Sequence, residues 1–248
     1  MPKTLAFLYH EVIDDYSESG FQNKDNLAYM HKTEVFRNHL EIYSNHLKIN
    51  ELKKVDQILF TFDDGGISNL KSAQILEEFG LKGMYFITTK RIGTKGFLAK
   101  EDILNLHNSG HIIGSHSHTH PMIFRSLNYE KMVEEWKTSK QILEEIIDEE
   151  ILYASVPGGD SDLKTYQSAS EAGISFVFDS EPILESRFSE DSEIFGRFSV
   201  KSQTSDQEFR DMLELSNLSR LQRNRRIKSM IKKIIFPIHQ YIQNKKND

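Results

Sequence analysis

Short apolar runs alternate with longer stretches of helical periodicity along most of the chain. Runs such as residues 57–62 (QILFTF) are rich in aromatic and β-branched residues, which predicts buried strands. Between them, apolar residues recur at three- and four-residue spacing, and several of these stretches end at a glycine, which predicts amphipathic helices. The predicted strands are 5–9, 57–62, 83–88, 112–115, 153–156 and 175–178, and the predicted helices are 35–47, 69–79, 100–109, 129–147 and 163–172.

The order of these elements predicts the fold class. At least five strand–helix units in succession are typical of a parallel α/β fold, and a length of 248 residues fits one main domain. Because no glycine-rich dinucleotide fingerprint follows a strand, we expect a parallel α/β barrel rather than a doubly wound sheet. Two polar stretches without periodicity, 14–32 and 185–193, are predicted to be disordered or to form lids.

Composition and charge narrow the classes of function. The chain has no cysteine, which excludes disulfides, thiolate nucleophiles and cysteine-ligated zinc. Residues 219–248 hold nine Lys and Arg against one acid, Asp248, whereas the rest of the chain holds 22 basic and 36 acidic residues. An acidic body argues against nucleic acid as a partner. We therefore expect a barrel over residues 1–218 and a separate basic tail over 219–248.

The basic tail has two interpretations. From Ile227 onward, apolar residues recur at helical spacing with lysines on the other side, and Pro237 interrupts the pattern. The tail is either a terminal helix packed on the barrel or an interfacial helix in peripheral contact with a membrane. Neither a signal-peptide pattern nor a membrane-spanning apolar run is present. These features predict a cytoplasmic protein, with the inner face of the membrane as an alternative location.

Two clusters of chemically active residues follow predicted strands, where a parallel barrel places its site. Residues 61–65 (TFDDG) offer two adjacent carboxylates, so one can bind a cation while the other stays free. Residues 116–120 (HSHTH) offer three alternating histidines. One carboxylate and two imidazoles suit a catalytic zinc site with an open position for water, although spacing alone allows His118 as well as His120 beside His116.

These two motifs resemble those of the polysaccharide deacetylases of the NodB-homology group, carbohydrate esterase family 4. The approach at residues 109–115 (SGHIIGS) is also typical of that family. The resemblance covers residues 4–200 and implies a distorted (β/α)7 barrel. It further implies that Asp63 is the general base, and that Asp64, His116 and His120 bind a divalent metal, Zn²⁺ or alternatively Co²⁺, Ni²⁺ or Mn²⁺.

The chain departs from the common family pattern at two places. Many relatives carry an arginine in a third motif, and residues 154–159 (ASVPGG) lack it, although Pro157 and Gly158 remain candidates for substrate contact. Arg197 is a candidate to replace that arginine from another part of the chain. The late histidine that usually acts as general acid is also missing.

Residues 8–12 (LYHEV) resemble an N-terminal segment of the subgroup that deacetylates poly-N-acetylglucosamine. In that subgroup the histidine, here His10, is the general acid. The sequence thus predicts a metal-dependent hydrolase that removes N-acetyl groups from an amino sugar in a polysaccharide, oligosaccharide or lipid-linked glycan, in cell-surface polysaccharide biosynthesis. The alternatives are a non-catalytic carbohydrate-binding barrel and an iron enzyme with a two-histidine, one-carboxylate site.

Overall fold

Strands and helices alternate as predicted in the residues that the computed structural model describes, which are 2–22, 24–49, 54–227 and 230. The strands are β1 (Thr4–Tyr9), β2 (Glu11–Val12), β3 (Met30–His31), β4 (Gln57–Phe62), β5 (Gly83–Ile87), β6 (Ile112–Ser115), β7 (Tyr153–Ser155), β8 (Phe176–Phe178), β9 (Arg187–Ser189), β10 (Ser192–Phe195) and β11 (Phe198–Ser199). The helices are α1 (Thr33–Ile49), α2 (Asn69–Glu78), α3 (Lys100–Asn108), α4 (Tyr129–Ile147), α5 (Leu163–Glu171) and α6 (Asp206–Leu213).

Nine of these strands form one sheet in the order β11-β1-β4-β5-β6-β7-β8-β10-β9. All neighbours in it are parallel except β9 and β10. Strands β1 and β4 pair along their whole length and end in register, and β6 pairs with β7 at its last residue. Because parallel strands end on the same rim, the residues that follow β1, β4 and β6 share that rim. These residues are His10, Asp63 and His116.

The sheet curls until its two ends nearly meet. Only Gly196 and Arg197 connect β10, near one end of the sheet, to β11 at the other end. The three Cα–Cα steps from Phe195 to Phe198 can span about 11 Å at most. A side chain at Gly196 would place its Cβ 2.2 Å from the carbonyl oxygen of Glu181, so the connection needs a glycine. The predicted distorted barrel is confirmed.

Two apolar clusters support the barrel from its two faces. The larger cluster lies between the sheet and the helices and includes the fully buried Trp136, whose indole nitrogen donates to the hydroxyl of Ser168 at 3.2 Å. A smaller cluster includes Phe86, and the guanidinium of Arg197 lies 5.6 Å from the centre of that ring. The smaller cluster therefore fills the barrel interior beneath Arg197.

Residues 14–32 and 185–193 were predicted to be disordered or to form lids, and disorder was wrong for most of both stretches. The first contains two short 3-10 helices, Tyr16–Glu18 and Lys24–Tyr29, and then β3, which pairs with β2. The second contains β9, paired with β10. Both stretches lack periodicity because their elements are only two to six residues long, which is too short to show a repeat.

The described part of the predicted tail packs against the barrel. Residues 218–227 are helical, and the side chains of Leu218 and Leu221 contact the large apolar cluster. Ile227 and Met230 are exposed, and most of the tail, 228–229 and 231–248, lies outside the described residues. Among the described helices, none is both long and apolar enough to cross a membrane.

Candidate active site

Three side chains converge on one point at the barrel rim. The imidazole Nε2 atoms of His116 and His120 lie 3.4 and 3.3 Å from one oxygen, Oδ1, of Asp64. The potential ligand atoms of all three residues lie within 4.8 Å of one another. Asp64 and His120 both have left-handed backbones, with φ of 77° and 56°. Such backbone strain in residues other than glycine is typical of functional sites.

The donor set of this trio fits a divalent cation. Two imidazole nitrogens and one carboxylate oxygen are common zinc ligands. The Nδ1 atom of His116 lies 3.0 Å from the carbonyl oxygen of Ser155, which orients the ring and leaves Nε2 for an ion. Burial raises the pKa of Asp64, but its hydrogen bonds with His116 and His120 outweigh burial and hold this pKa well below its usual value. Asp64 is therefore an anion ready to bind a cation.

Asp63 points beside the trio and is held by a buried arginine. The guanidinium of Arg197 donates to both carboxylate oxygens of Asp63, at 2.7 and 2.9 Å. Arg197 is fully buried and Asp63 is 3% exposed. Burial raises the pKa of Asp63, but the charge and hydrogen bonds of Arg197, together with the charge of His116, outweigh burial, so this pKa lies below its usual value. The structure thus places Arg197 where it orients the carboxylate that the sequence predicts to be the base.

Ser155 is a site residue that the sequence analysis did not single out. Its hydroxyl donates to Asp63 at 3.0 Å and accepts from Arg197 at 2.9 Å. The same hydroxyl lies 3.1 Å from Nδ1 of His116. Ser155 ends β7 within the stretch that lacks the family arginine, so this absence was the signal that could have found it. One small residue here leaves room for Arg197.

His10 lies on the same rim as Asp63 and Asp64. Its ring contacts that of Tyr29, with centres 4.5 Å apart, and its carbonyl oxygen accepts from the amide of Asn69. The buried Nδ1 atom has no hydrogen-bond partner among the described residues. Burial lowers the pKa of His10, while the charges of Asp64 and Asp63 oppose that shift. The residue lines the cleft, so other atoms of its ring can face a ligand there.

The other histidines near the second motif point away from the trio. Nδ1 of His118 lies 3.0 Å from the hydroxyl of Thr89. His111 accepts a hydrogen bond from the backbone N–H of Gly83, and its Nε2 lies 3.4 Å from Glu77. Both side chains have structural partners, so the geometry separates His118 from the trio where spacing left the choice open.

A cleft of about 730 Å³ opens over these residues. Gly158 lines it with a φ of 65°, and Pro157 is buried beside it. Phe21 and Tyr29, from one of the stretches predicted as lids, also line the cleft. Its volume is in the range of small-molecule sites, so it can hold a small molecule over the trio. Residues between 197 and 225 form much of the remaining wall, which includes the start of the basic tail.

Comparison with known proteins agrees with the two motifs. A family model described as polysaccharide deacetylase matches residues 51–177, just over half of the chain. The chain therefore belongs to the polysaccharide deacetylase family, as the sequence predicted. The matched region contains Asp63, Asp64, His116 and His120, whereas His10 and Arg197 lie outside it.

One curated relative is similar to this chain over part of its own length. YxkH of Bacillus subtilis (strain 168), a protein named for the polysaccharide deacetylase family, is 28% identical over 131 residues. These residues are 52% of this chain and 47% of the relative, so the chain matches about half of that protein's length.

The fold of this chain is shared with solved structures of deacetylases. The crystal structure of BC0361, a polysaccharide deacetylase from Bacillus cereus, superposes with a TM-score of 0.69 over 85% of this chain and 69% of that one, at 21% identity. The Streptococcus pyogenes deacetylase PplD, solved in complex with acetate, superposes with a TM-score of 0.67 over 86% of this chain and 99% of that one, at 18% identity.

Proposed function

We propose that this protein is a metal-dependent deacetylase that removes the N-acetyl group from an amino sugar of a polysaccharide, oligosaccharide or lipid-linked glycan. One observation carries the proposal: a carboxylate held by a buried arginine, Asp63, lies directly beside a carboxylate and two imidazoles that converge on one point. Membership in the polysaccharide deacetylase family supports this reading. Cell-surface polysaccharide biosynthesis is the proposed context.

Asp64, His116 and His120 are the proposed ligands of the metal, with Zn²⁺ as the first candidate and Co²⁺, Ni²⁺ or Mn²⁺ as alternatives. When bound, such an ion supplies Lewis acidity, which makes a water more acidic and polarises the amide carbonyl. The contact between His116 and Ser155 keeps the Nε2 atom directed at the trio. The positions that the three side chains leave open are available to water and substrate.

Asp63 is the proposed general base. It accepts a proton as the water oxygen bonds to the carbonyl carbon of the acetamide group. The bidentate contact with Arg197 fixes the direction of the carboxylate and holds it deprotonated before the reaction. A fixed carboxylate costs no reorganisation when the proton moves.

His10 is the proposed general acid. The carbon–nitrogen bond breaks as the amine nitrogen takes a proton, which the protonated imidazole donates, and acetate and the free amino sugar are released. Its place on the cleft wall, beside Asp63 and Asp64, supports this role. Gly158 and Pro157 are proposed to shape the substrate side of the cleft, where a backbone without a Cβ allows close approach.

Acetate release tests the proposal. Zinc-loaded protein is incubated with N-acetylated oligosaccharides, and released acetate and bound metal are measured in parallel. We expect turnover in the native chain, and in Asp63→Asn a loss of at least about a thousandfold with metal still bound, because only the base is removed. Near-normal turnover of Asp63→Asn contradicts the base assignment.

The same assay separates the alternatives. Glycan binding without acetate release indicates a non-catalytic barrel. Turnover that requires iron, oxygen and a co-substrate indicates an oxygenase with the same three ligands. Hydrolysis in the absence of oxygen is expected of a deacetylase, and Asp63 is the residue that an oxygenase of this kind would not need.

A further inference from the structure

Part of the cleft lining is not used by the proposed chemistry. It comes from strand β11, helix α6 and the helical residues 218–227. Among the described residues that line the whole cleft there are four Lys and Arg and three carboxylates. This is unexpected in a chain whose first 218 residues carry 22 basic and 36 acidic residues. The four basic residues are Arg197, Lys201, Arg220 and Arg225.

Two of these cations are already committed to protein partners. Arg197 binds Asp63. Arg225 donates from Nε to Glu181 at 2.8 Å and from Nη2 to the carbonyl oxygen of Gly159. The contacts of Arg225 fasten the helical segment to the loops beside Gly158, so this segment is a fixed wall of the cleft.

The other two cations are available to a ligand. The ammonium group of Lys201 has no carboxylate partner among the described residues and lies 5.4 Å from the centre of the Tyr29 ring. Arg220 lies 3.7 Å from Glu208, with both side chains close to half exposed. An exposed pair at that distance contributes little energy, so the guanidinium can turn to a stronger anion.

Neutral donors accompany these two cations. The hydroxyl of Ser199 is buried, lines the cleft and has no hydrogen-bond partner among the described residues. Asn224 lies on the same wall as Arg220, one helical turn further along. Arginine, lysine and hydroxyl donors that line one cleft are groups that can bind phosphate oxygens.

We propose that the substrate carries a phosphate ester or diphosphate, bound by Lys201 and Arg220, while its N-acetyl group lies at the trio. Only the position of the N-acetyl group in this inference rests on the proposed deacetylase function. The ester would belong to a sugar phosphate, a nucleotide-linked sugar or a lipid-linked sugar, which share this chemistry. The volume of about 730 Å³ leaves room for an amino sugar and an anionic group in one cleft.

Binding without turnover tests this inference separately from catalysis. The probes are a glucosamine disaccharide and its 1-phosphate, both without acetyl groups and so not substrates for hydrolysis. Calorimetry on the zinc-loaded full chain gives the two dissociation constants. We expect the 1-phosphate to bind at least about tenfold more tightly, because two charge-assisted contacts are added. The ratio should fall below about threefold in the Lys201→Ala/Arg220→Ala double variant.

Arg223→Ala is the matched control, because Arg223 is an exposed arginine on the same helical segment that does not line the cleft. It should keep the native ratio. Equal binding of the two probes to the native chain overturns the inference, as does an equal loss in Arg223→Ala. A high ratio without acetate release in any assay supports the anion site and counts against the deacetylase function.

A second experiment identifies which kind of phosphorylated sugar the protein prefers. Acetate release is compared for N-acetylglucosamine disaccharides that are free, 1-phosphorylated, nucleotide-linked or attached through a diphosphate to a lipid in micelles. Preference for any phosphorylated form that is lost in the double variant supports the inference and names the class. Preference for the free disaccharide overturns it.

Discussion

Arg197 and Asp63 form a bidentate salt bridge in the barrel interior, although 134 positions separate them in the sequence. Each of the two residues lies directly beside one end of a strand. Asp63 follows β4, and Arg197 follows Gly196 in the connection from β10 to β11. A fully buried guanidinium is stable only with such a partner, so the two residues depend on each other for their burial.

Replacing Arg197 by lysine should lower kcat by about a hundredfold, with a small change in KM. A single ammonium group cannot hold both oxygens of Asp63, so the base loses its direction. Stability should also fall by roughly 3 kcal/mol, because a buried pair is disrupted. Steady-state acetate release and urea denaturation measure the two effects.

Arg37→Lys is the control for that variant. Arg37 forms a comparable bidentate bridge with Glu78, at 2.5 and 2.9 Å, but on the surface. It should change stability by less than about 1 kcal/mol and leave kcat as it is. If Arg197→Lys behaves like Arg37→Lys, Arg197 does not orient the base.

His118 and His120 should respond in opposite ways to alanine substitution. His120→Ala removes a proposed ligand, so bound metal per chain and acetate release should both fall at least about tenfold. His118→Ala removes only the contact with Thr89, which costs about 1 kcal/mol of stability, and should keep metal and activity within about twofold. Metal analysis of dialysed protein distinguishes the two variants. Loss of metal in His118→Ala would indicate that His118 is a ligand.

The free energy of unfolding should fall as the pH drops from about 6.5 to about 4. Burial lowers the pKa of His31 and of His39 to about 4 in the folded chain, whereas an unfolded histidine titrates near about 6.5. Between these values the unfolded state binds more protons, so each histidine contributes stability that is complete above the higher pKa and is lost towards the lower one. The loss is about 3 kcal/mol per histidine.

His39→Gln tests this pH dependence, since glutamine does not titrate and can still bond to the hydroxyl of Tyr9, which lies 3.1 Å from Nδ1 of His39. Urea denaturation from pH 7 to pH 4.5 should show about half of the native slope in this variant. An unchanged slope in His39→Gln would mean that burial does not lower the pKa of this ring.

The sequence by itself determined the alternation of strands and helices, the family and the two motifs, because each is encoded within a few neighbouring residues. Periodicity over ten or more positions predicted the long helices, and apolar runs predicted six strands of the sheet. The sequence did not predict β9, β10 and β11. These strands have only two to four residues each, and their pairing with neighbouring strands defines them. Local pattern is weak at that length.

Only the tertiary structure decided which residues meet. Arg197 had been a candidate from an absence in the third motif, but its contact with Asp63 depends on the closure of the barrel at Gly196. Ser155 was missed because a serine has no signature outside its contacts. The basic tail, whose charge was plain in the sequence, begins as a wall of the cleft. The sequence shows where charged residues lie along the chain. Which surface of the protein carries them depends on packing between distant segments.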